Sequence, residues 1–362
     1  MWKTIVRRVL MMIPQLFILS LLVFILAKLM PGDALTGMTN PKIDQATIEK
    51  LRIESGYYDP WYVQYVRWIT NAFKGDFGIS YNYKLPVMQV IGPRAINSFA
   101  LSLLALIIMY AAAIPIGIFA GKNQGSRFDK TVVFLNFFVY AIPSFVLYLF
   151  FILIFGYKLR IFPTIGSVSA DVMKGTFAYY MSKLYHMIMP AICIAIISSV
   201  GTIQYLRNEV IDAKTQDYVK TARSKGVPMK KVYTHHIFRN SLLPIAAFFG
   251  FQISGLLGGS VIAETIFNYQ GMGKFFLEAI NTRDFSVVTA LILIYGFLFL
   301  LGSLVSDITM SIVTEGYTSD KYKAVVTFKG KAGENDVKYY IYDKYNKGEW
   351  DIQILKEKPE DF

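Results

Sequence analysis

Long apolar runs alternate with shorter polar stretches along the first 312 residues of the chain. Six of these runs approach the ~20 residues that an α-helix needs to cross the ~30 Å hydrocarbon core of a bilayer. They cover about residues 10–30, 97–120, 131–155, 187–206, 242–263 and 285–306. This pattern predicts an all-α polytopic membrane protein with six transmembrane helices.

The pattern changes after residue 312. The segments "YKAVVTF", "DVKYYIYDKY" and "EWDIQIL" contain β-branched and aromatic residues in partial alternation, with turn-forming residues between them. We therefore expect a small β-rich C-terminal extension over 313–362. Because three strands bury little apolar surface by themselves, two interpretations stay open, a module resting on another surface and a flexible tail.

The composition places this protein in a membrane. With 54% hydrophobic and 17% charged residues, the 362-residue chain is too apolar for an ordinary soluble protein. Its single cysteine, Cys193, lies in an apolar run, so no disulfide within the chain is possible. The formal charge of +12 would suggest a nucleic-acid partner in a soluble protein.

The position of the charges removes that suggestion. Alternate loops are rich in Lys and Arg, namely 1–9, 121–130 and 207–241. They hold 3, 3 and 8 basic residues against four acidic ones. The remaining loops are longer and hold 13 basic and 10 acidic residues, namely 31–96, 156–186 and 264–284. Basic loops stay on the cytoplasmic side, so both termini are predicted to be cytoplasmic and no nucleic acid is needed to explain the charge.

The predicted spans lack the residues that other classes of membrane protein use. The only acidic, basic or histidine side chains within them are Lys28 and His186, which lie near span ends and can extend to the interface. A secondary carrier needs coupling charges inside the membrane, and a membrane enzyme needs converging polar or metal-binding residues. The sequence has no Walker, HExxH or GxSxG motif and no Cys/His cluster at metal spacing. We therefore predict a transport subunit without enzymatic activity, powered by another chain.

The basic segment 207–241 has the texture of two short helices. Gly226 ends the first, Pro228 follows at the interval typical of a helix stop, and a second amphipathic helix begins near Met229. A generic basic loop would share this composition, so the residues alone leave both interpretations open.

The stretch "KTARSKG" at 220–226 resembles the EAA signature of binding-protein-dependent ABC transporter permeases. In that family the signature marks a cytoplasmic coupling helix that docks on the ATPase subunit. Lys220, Thr221, Ala222 and Gly226 stand at the positions of Glu, Ala, Ala and Gly. The match is partial, and the Leu-Pro pair that normally follows stands further away, at 243–244.

Other blocks resemble the di- and oligopeptide branch of the same family, and specifically its "B" type subunit. They occur in the family's order over residues 5–312, namely at 7–34, 58–81, 141–145 and 253–285. Nickel permeases share nearly the same pattern. Peptide import is therefore the expected function, with import of nickel or another small solute as the alternative.

The resemblance implies a type I ABC importer permease fold with a cytoplasmic N-terminus (1–9), a transmembrane domain (10–312) and a cytoplasmic extension (313–362). It also implies a heterodimer with a homologous permease subunit, two ABC ATPase subunits and an extracellular peptide-binding protein in a bacterial cytoplasmic membrane. ATP and Mg would be bound by the ATPase subunits, and this chain would bind no cofactor.

The resemblance also supplies candidate site residues. Those implied for ATPase coupling are Tyr218, Lys220, Thr221, Ala222, Arg223, Lys225, Gly226 and Val227. Tyr218, Ala222 and Val227 would offer an apolar face to the ATPase groove, while the basic residues would pair with acidic groups around it.

Weakly polar residues in or near the spans are candidates for lining the path, with hydrogen bonding between helices as the alternative role. They are Asn97, Gln204, Gln252, Ser254 and Ser260. Glu264, Asp284 and the long loop 31–96 are candidate contacts of the binding protein, with solvated loop charges as the alternative for the two acidic residues.

Overall fold

The computed structural model describes residues 2–29, 49–50, 52–53, 56–242, 245, 249–250, 252, 255, 260–318, 323–328, 337–346 and 349–355. Helices make up most of this part of the chain. In chain order they are α1 (Trp2–Leu29), α2 (Trp61–Phe73), α3 (Val87–Lys122), α4 (Arg127–Ala141), α5 (Ser144–Phe151, continued by π-helical Ile152–Lys158), α6 (Phe177–Ala213), α7 (Asp217–Ser224), α8 (Met229–Lys231, continued by π-helical Val232–Ile237), α9 (Phe238–Ser241), α10 (Val261–Ile266), α11 (Met272–Asn281) and α12 (Phe285–Thr318).

Among the described residues, four helices are long and apolar enough to cross a membrane. They are Ile5–Leu29 in α1, Val87–Lys122, Phe177–Ala213 and Phe285–Ser311 in α12. Each contains one of the predicted apolar runs, because a chain in lipid must satisfy its backbone groups within a helix. The predicted run 242–263 lies largely outside the described residues.

The predicted span over 131–155 is not one continuous helix. Helices α4 and α5 meet at an angle of 101°, so this segment is a broken span or a re-entrant loop. The bend is at Ile142, whose backbone is extended (φ −84°, ψ 125°), and Pro143 follows it. Proline disfavours helical geometry in the residue before it. The described chain therefore offers four spans, or five if the bent pair counts as one.

Helices α3 and α6 pack closely against each other. Ala113, Gly117 and Gly121 follow one another at four-residue spacing on the face of α3 that contacts α6. A Cβ at Gly117 would lie 2.8 Å from the Leu206 Cβ, and one at Gly121 would lie 2.7 Å from the Arg207 carbonyl oxygen. Small residues at such spacing let two helix backbones approach closely.

Helix α12 packs against α1 in the opposite direction. The Arg8 guanidinium donates a hydrogen bond of 3.0 Å to Asp307. The start of α1 and the late part of α12 therefore lie at the same end of the bundle.

The described part of the C-terminal segment forms a three-stranded antiparallel sheet in the order β1-β2-β3. Its strands are β1 (Lys323–Phe328), β2 (Val337–Asn346) and β3 (Glu349–Leu355). In the register, Lys323 stands opposite Tyr342, and Tyr340 stands opposite Leu355.

Candidate functional site

The loop after α6 folds around Gly226. Helix α7 ends at Ser224, and Gly226 takes a left-handed conformation with φ +73°. Its N–H donates to the Arg223 carbonyl oxygen at 2.9 Å, and the Val227 N–H donates to that of Ala222 at 3.1 Å. This is how glycine closes a helix at little conformational cost. After Pro228 the chain starts the second helical segment.

One side of α7 is buried by the chain itself. Val219 and Ala222 pack in one apolar cluster with Val210 at the end of α6 and with Val232 and Ile237 after the turn. Ala222 is thus buried by residues of its own chain, and its contact with an ATPase groove stays a prediction. The alternation of charged and apolar residues showed that α7 has an apolar face, but not what covers it.

The other side of this loop faces outward and is basic. Its exposed residues are Tyr218, Lys220, Thr221, Arg223, Lys225 and Gly226, which we call the coupling surface. Val227, at its edge, is half-buried. Lys220 Nζ lies 2.9 Å from Asp217 Oδ1, and this hydrogen bond lowers the pKa of the Asp217 carboxyl. Because the charged residues of the coupling surface are Lys220, Arg223 and Lys225, the surface suits a partner with acidic groups.

A buried ion pair links the helices beneath the coupling surface. Asp129, in the first turn of α4, accepts hydrogen bonds from Arg207 Nε at 2.5 Å and Arg207 Nη2 at 2.9 Å. It also accepts one from the Gly125 backbone N–H at 2.8 Å. The Asp129 side chain is 3% exposed and that of Arg207 is 16% exposed. Two parallel bonds of this kind fix geometry as well as adding energy.

A second contact holds the end of α6 to the end of α3. Lys214 Nζ donates to the carbonyl oxygens of Gly121 at 2.8 Å and Lys122 at 3.2 Å. A cation is favourable at a helix C-terminus, where carbonyl groups lack partners. Burial lowers the pKa of the Lys214 ammonium. Sequence reasoning counted Asp129, Arg207 and Lys214 only as topology signals and missed these contacts.

A cavity of about 130 Å³ lies between α3, α6 and the segment that leads to α10. It is lined by Ser102, Ala105, Leu106, Met109, Ile194, Ser198, Gln252, Gly255 and Ser260. None of these residues is charged. Two of the predicted path residues, Gln252 and Ser260, thus lie at this cavity.

The other predicted path residues have different positions. Asn97 bridges elements, because its Nδ2 donates to the Gln270 carbonyl oxygen and its Oδ1 accepts from Lys183 Nζ, both at 2.7 Å. The Oε1 atom of Gln204 is buried and has no hydrogen-bond partner among the described residues. Ser254 lies outside the described residues.

Glu264 in α10 is fully buried. Its carboxylate accepts from Ser98 Oγ at 2.5 Å and from the Lys274 backbone N–H at 3.0 Å. Ser98 Oγ in turn accepts from the Met272 N–H at 2.8 Å. A side chain at Gly271 would overlap this carboxyl group. Burial raises the pKa of Glu264, although the hydrogen bonds oppose that shift.

Asp284 is buried in a similar way before α12. Its Oδ2 atom accepts from Ser80 Oγ at 2.5 Å and from the Asn82 N–H at 3.3 Å. Both acidic residues are buried in the chain, and their candidate role as contacts of a binding protein stays a prediction. Glu264 and Asp284 tie the chain around the start of α3 to the segment 260–285, contacts that one sequence does not reveal.

Comparison with known proteins gives two adjoining family matches. Residues 1–102 match the family described as the N-terminal part of a binding-protein-dependent transport system membrane component. Residues 113–318 match the binding-protein-dependent transport system inner membrane component.

Individual relatives match over nearly their whole length. The chain is 37% identical over 310 residues to the oligopeptide transport system permease protein AppB of Bacillus subtilis (strain 168), covering 85% of this chain and 97% of that protein. It is 34% identical to a putative peptide transport system permease protein of Brucella abortus (strain 2308), covering 86% and 98%. It is 30% identical to the glutathione transport system permease protein GsiC of Escherichia coli (strain K12), covering 85% and 96%.

Among solved structures, the chain is similar to an inward-facing form of the methionine ABC transporter MetNI. The TM-score is 0.47 at 13% sequence identity, over 63% of this chain and 96% of that one.

Proposed function

Because this chain belongs to the family of binding-protein-dependent transport system inner membrane components, we propose that it forms half of the membrane path of an ATP-driven importer of short peptides. The observation that carries the proposal is the coupling surface, an exposed basic turn that is braced from beneath by buried contacts. Peptide is the proposed substrate because relatives that match over most of the chain are named for oligopeptide, peptide and glutathione transport.

The proposed architecture has six spans, in a type I importer fold. The bent pair α4 and α5 is the third span, and residues 242–263 supply the fifth. Both termini and the β-rich extension lie in the cytoplasm of a bacterium, as the basic loops favour. A homologous permease subunit completes the path, and an extracellular binding protein delivers the peptide.

In this proposal, two partner ATPase subunits bind ATP and Mg and supply the force. Acidic groups around the ATPase groove contact Lys220, Arg223 and Lys225, and Tyr218 adds apolar contact. Buried Ala222 supports this surface from beneath. The apolar cluster packs α7 against the end of α6, and the Asp129–Arg207 pair and the Lys214 contacts join α6 to α4 and α3. ATPase closure then moves these helices with the coupling surface.

The uncharged cavity suits a substrate of variable sequence. A peptide brings its own charged ends and diverse side chains, and fixed charges in the path would favour some peptides over others. Serine and glutamine side chains offer hydrogen bonds without that selectivity. Affinity for particular peptides then belongs to the binding protein.

The test is a change at Gly226 in vesicles that contain the whole complex. Pro cannot adopt φ +73° and cannot donate the bond to Arg223, so Gly226→Pro should abolish peptide uptake while the partner ATPases still hydrolyse ATP. Gly226→Asn should retain uptake, because Asn tolerates this conformation and a Cβ here meets open space.

A matched control is Gly75→Pro in the turn after α2. Gly75 also has a positive φ, +78°, with open space around its Cβ, and its N–H donates to the Ala72 carbonyl oxygen at 2.9 Å. Because Gly75 lies in the predicted outer loop 31–96, the readout for this control is the ratio of peptide taken up to ATP hydrolysed, which should stay unchanged. Normal uptake by Gly226→Pro would refute the coupling role, and nickel competing with the peptide would refute the substrate assignment.

A further inference from the structure

Helix α2, in the predicted outer loop 31–96, packs against the middle of α1. The hydroxyl oxygens of Tyr65 and Ser20 lie 2.7 Å apart and share a buried hydrogen bond. The Tyr65 ring meets the Phe24 ring edge-on, with 5.4 Å between their centres, and the Trp68 ring lies 5.7 Å from the Phe24 ring. These contacts fix where α2 lies along α1.

That position is at the depth of the membrane. The apolar part of α1, Ile5–Leu29, has its midpoint at Phe17. With a rise of ~1.5 Å per residue, Ser20 lies ~5 Å and Phe24 ~10 Å beyond this midpoint. Both fall within the outer half of a hydrocarbon core that is ~30 Å thick. An ordinary solvated loop helix would contact only the outer end of α1.

Next to its buried face, α2 carries an apolar stripe that the described chain leaves uncovered. Tyr62, Val66, Ile69 and Phe73 recur at spacings of four, three and four, so they share one side of the helix. Phe73 is 86%, Val66 58% and Tyr62 57% exposed, and Ile69 is partly exposed. No member of the stripe is charged.

The opposite side of α2 is polar and is held by the preceding turn. Gln64 Nε2 donates to the carbonyl oxygens of Tyr57 at 2.8 Å and Asp59 at 2.7 Å. Arg67 Nη2 lies 2.7 Å from Asp59 Oδ2. The helix therefore has three sides, one on α1, one apolar and one joined to a polar turn.

We propose that α2 lies in the boundary between headgroups and acyl chains of the outer leaflet, with the stripe of Tyr62, Val66, Ile69 and Phe73 in lipid. An amphipathic helix at a membrane surface buries its apolar face by ~5–10 Å, which agrees with the level of Ser20 and Phe24. Trp61 stands exposed at the start of the helix, and tryptophan is typical of the interface. This part of the loop is then a lipid anchor that holds the outer half of α1.

The test uses nitroxide labels on the assembled transporter in liposomes, in a background where buried Cys193 is changed to Ala. Val66→Cys and Phe73→Cys place labels on the stripe. Asn71→Cys, on the polar side of the same helix and also exposed, is the matched control. Collisions of each label are measured with oxygen, which concentrates in lipid, and with a water-soluble nickel chelate.

The labels at 66 and 73 should show an oxygen-to-nickel collision ratio several-fold above that at 71. A ratio at 66 and 73 equal to that at 71 would place the stripe in water and overturn the proposal. Protection of the stripe labels from both reagents would also overturn the proposal. The stripe would then be covered by protein, either the second permease subunit or the binding protein.

Discussion

The ion pair beneath the coupling surface gives the sharpest quantitative prediction. The change Asp129→Asn keeps the side-chain shape but removes the negative charge that faces Arg207. Arg207, only 16% exposed, would keep its charge without a counter-charge. Asn can also accept fewer of the three hydrogen bonds that Asp129 now receives from Arg207 and Gly125.

The size of the effect follows from the burial. Removing one partner of a buried pair typically costs about 3–5 kcal/mol, because the remaining charge stays desolvated. The partial exposure of Arg207 lets water reach it and favours the lower end, about 3 kcal/mol. For a chain of 362 residues, that loss of stability corresponds to a fall of about 4 °C in the unfolding midpoint.

The assay is thermal unfolding of the purified complex, followed by ATP hydrolysis with the binding protein and peptide. Asp129→Asn should lower the midpoint and weaken the stimulation of hydrolysis by peptide. Asp217→Asn is the control, because Asp217 pairs with Lys220 at 2.9 Å but both side chains are largely exposed, and exposed pairs contribute little.

A double-mutant cycle separates the pair from its surroundings. Asp129→Ala together with Arg207→Ala should destabilise the protein less than the sum of the single changes, since no charge is left alone. Equal midpoints for Asp129→Asn and Asp217→Asn, or strict additivity in the cycle, would refute a stabilising buried pair.

Two further predictions concern the α3 contacts and the buried acid. Gly121→Leu should lower the free energy of unfolding by about 3 kcal/mol or more, because the new side chain is overpacked against Arg207. Gly92→Leu on the same helix is the control, because a side chain there meets open space and should not lower it. Equal effects of the two changes would count against close packing. Because burial raises the pKa of Glu264 above about 4.3, its contribution to stability is complete below that value and is lost as pH rises through the folded pKa. Glu264→Gln should therefore remove part of the fall in stability as pH rises above the ordinary pKa of a glutamic acid, and an unchanged pH profile would contradict this.

The long spans could be predicted from one sequence because lipid imposes a strong constraint. Every backbone group inside a membrane must find a partner in its own helix, so the apolar runs in α1, α3, α6 and α12 have little choice of structure. The turn at Gly226 was predictable for a related reason, since few residues other than glycine accept its φ of +73°.

The bend between α4 and α5 shows where this reasoning ends. Pro14, Pro115 and Pro190 lie inside continuous helices, yet the chain turns by 101° before Pro143. A proline removes one donor and restricts its predecessor. Packing of neighbouring helices then decides whether the helix continues, and a single sequence contains no direct record of that packing.

The buried polar contacts were hidden for a different reason. Asp129 and Arg207 are 78 positions apart, and Ser98 and Glu264 are 166 apart. Composition and position relative to the spans describe Glu264 as an outer loop charge. Only the fold shows that it is fully buried and bonded to Ser98.

Two of the polar contacts lie far apart along one helix, α3. Ser98, bonded to Glu264, and Gly121, whose carbonyl oxygen accepts from Lys214, are 23 positions apart on α3, or ~35 Å at the rise of an α-helix. Close to the Lys214 contact, Gly117 and Gly121 bring the backbone of α3 against α6 without room for a side chain. We infer that a displacement of the coupling surface reaches the Ser98–Glu264 contact as a movement of the α3 and α6 pair, since packed helices shift between discrete arrangements rather than deforming continuously.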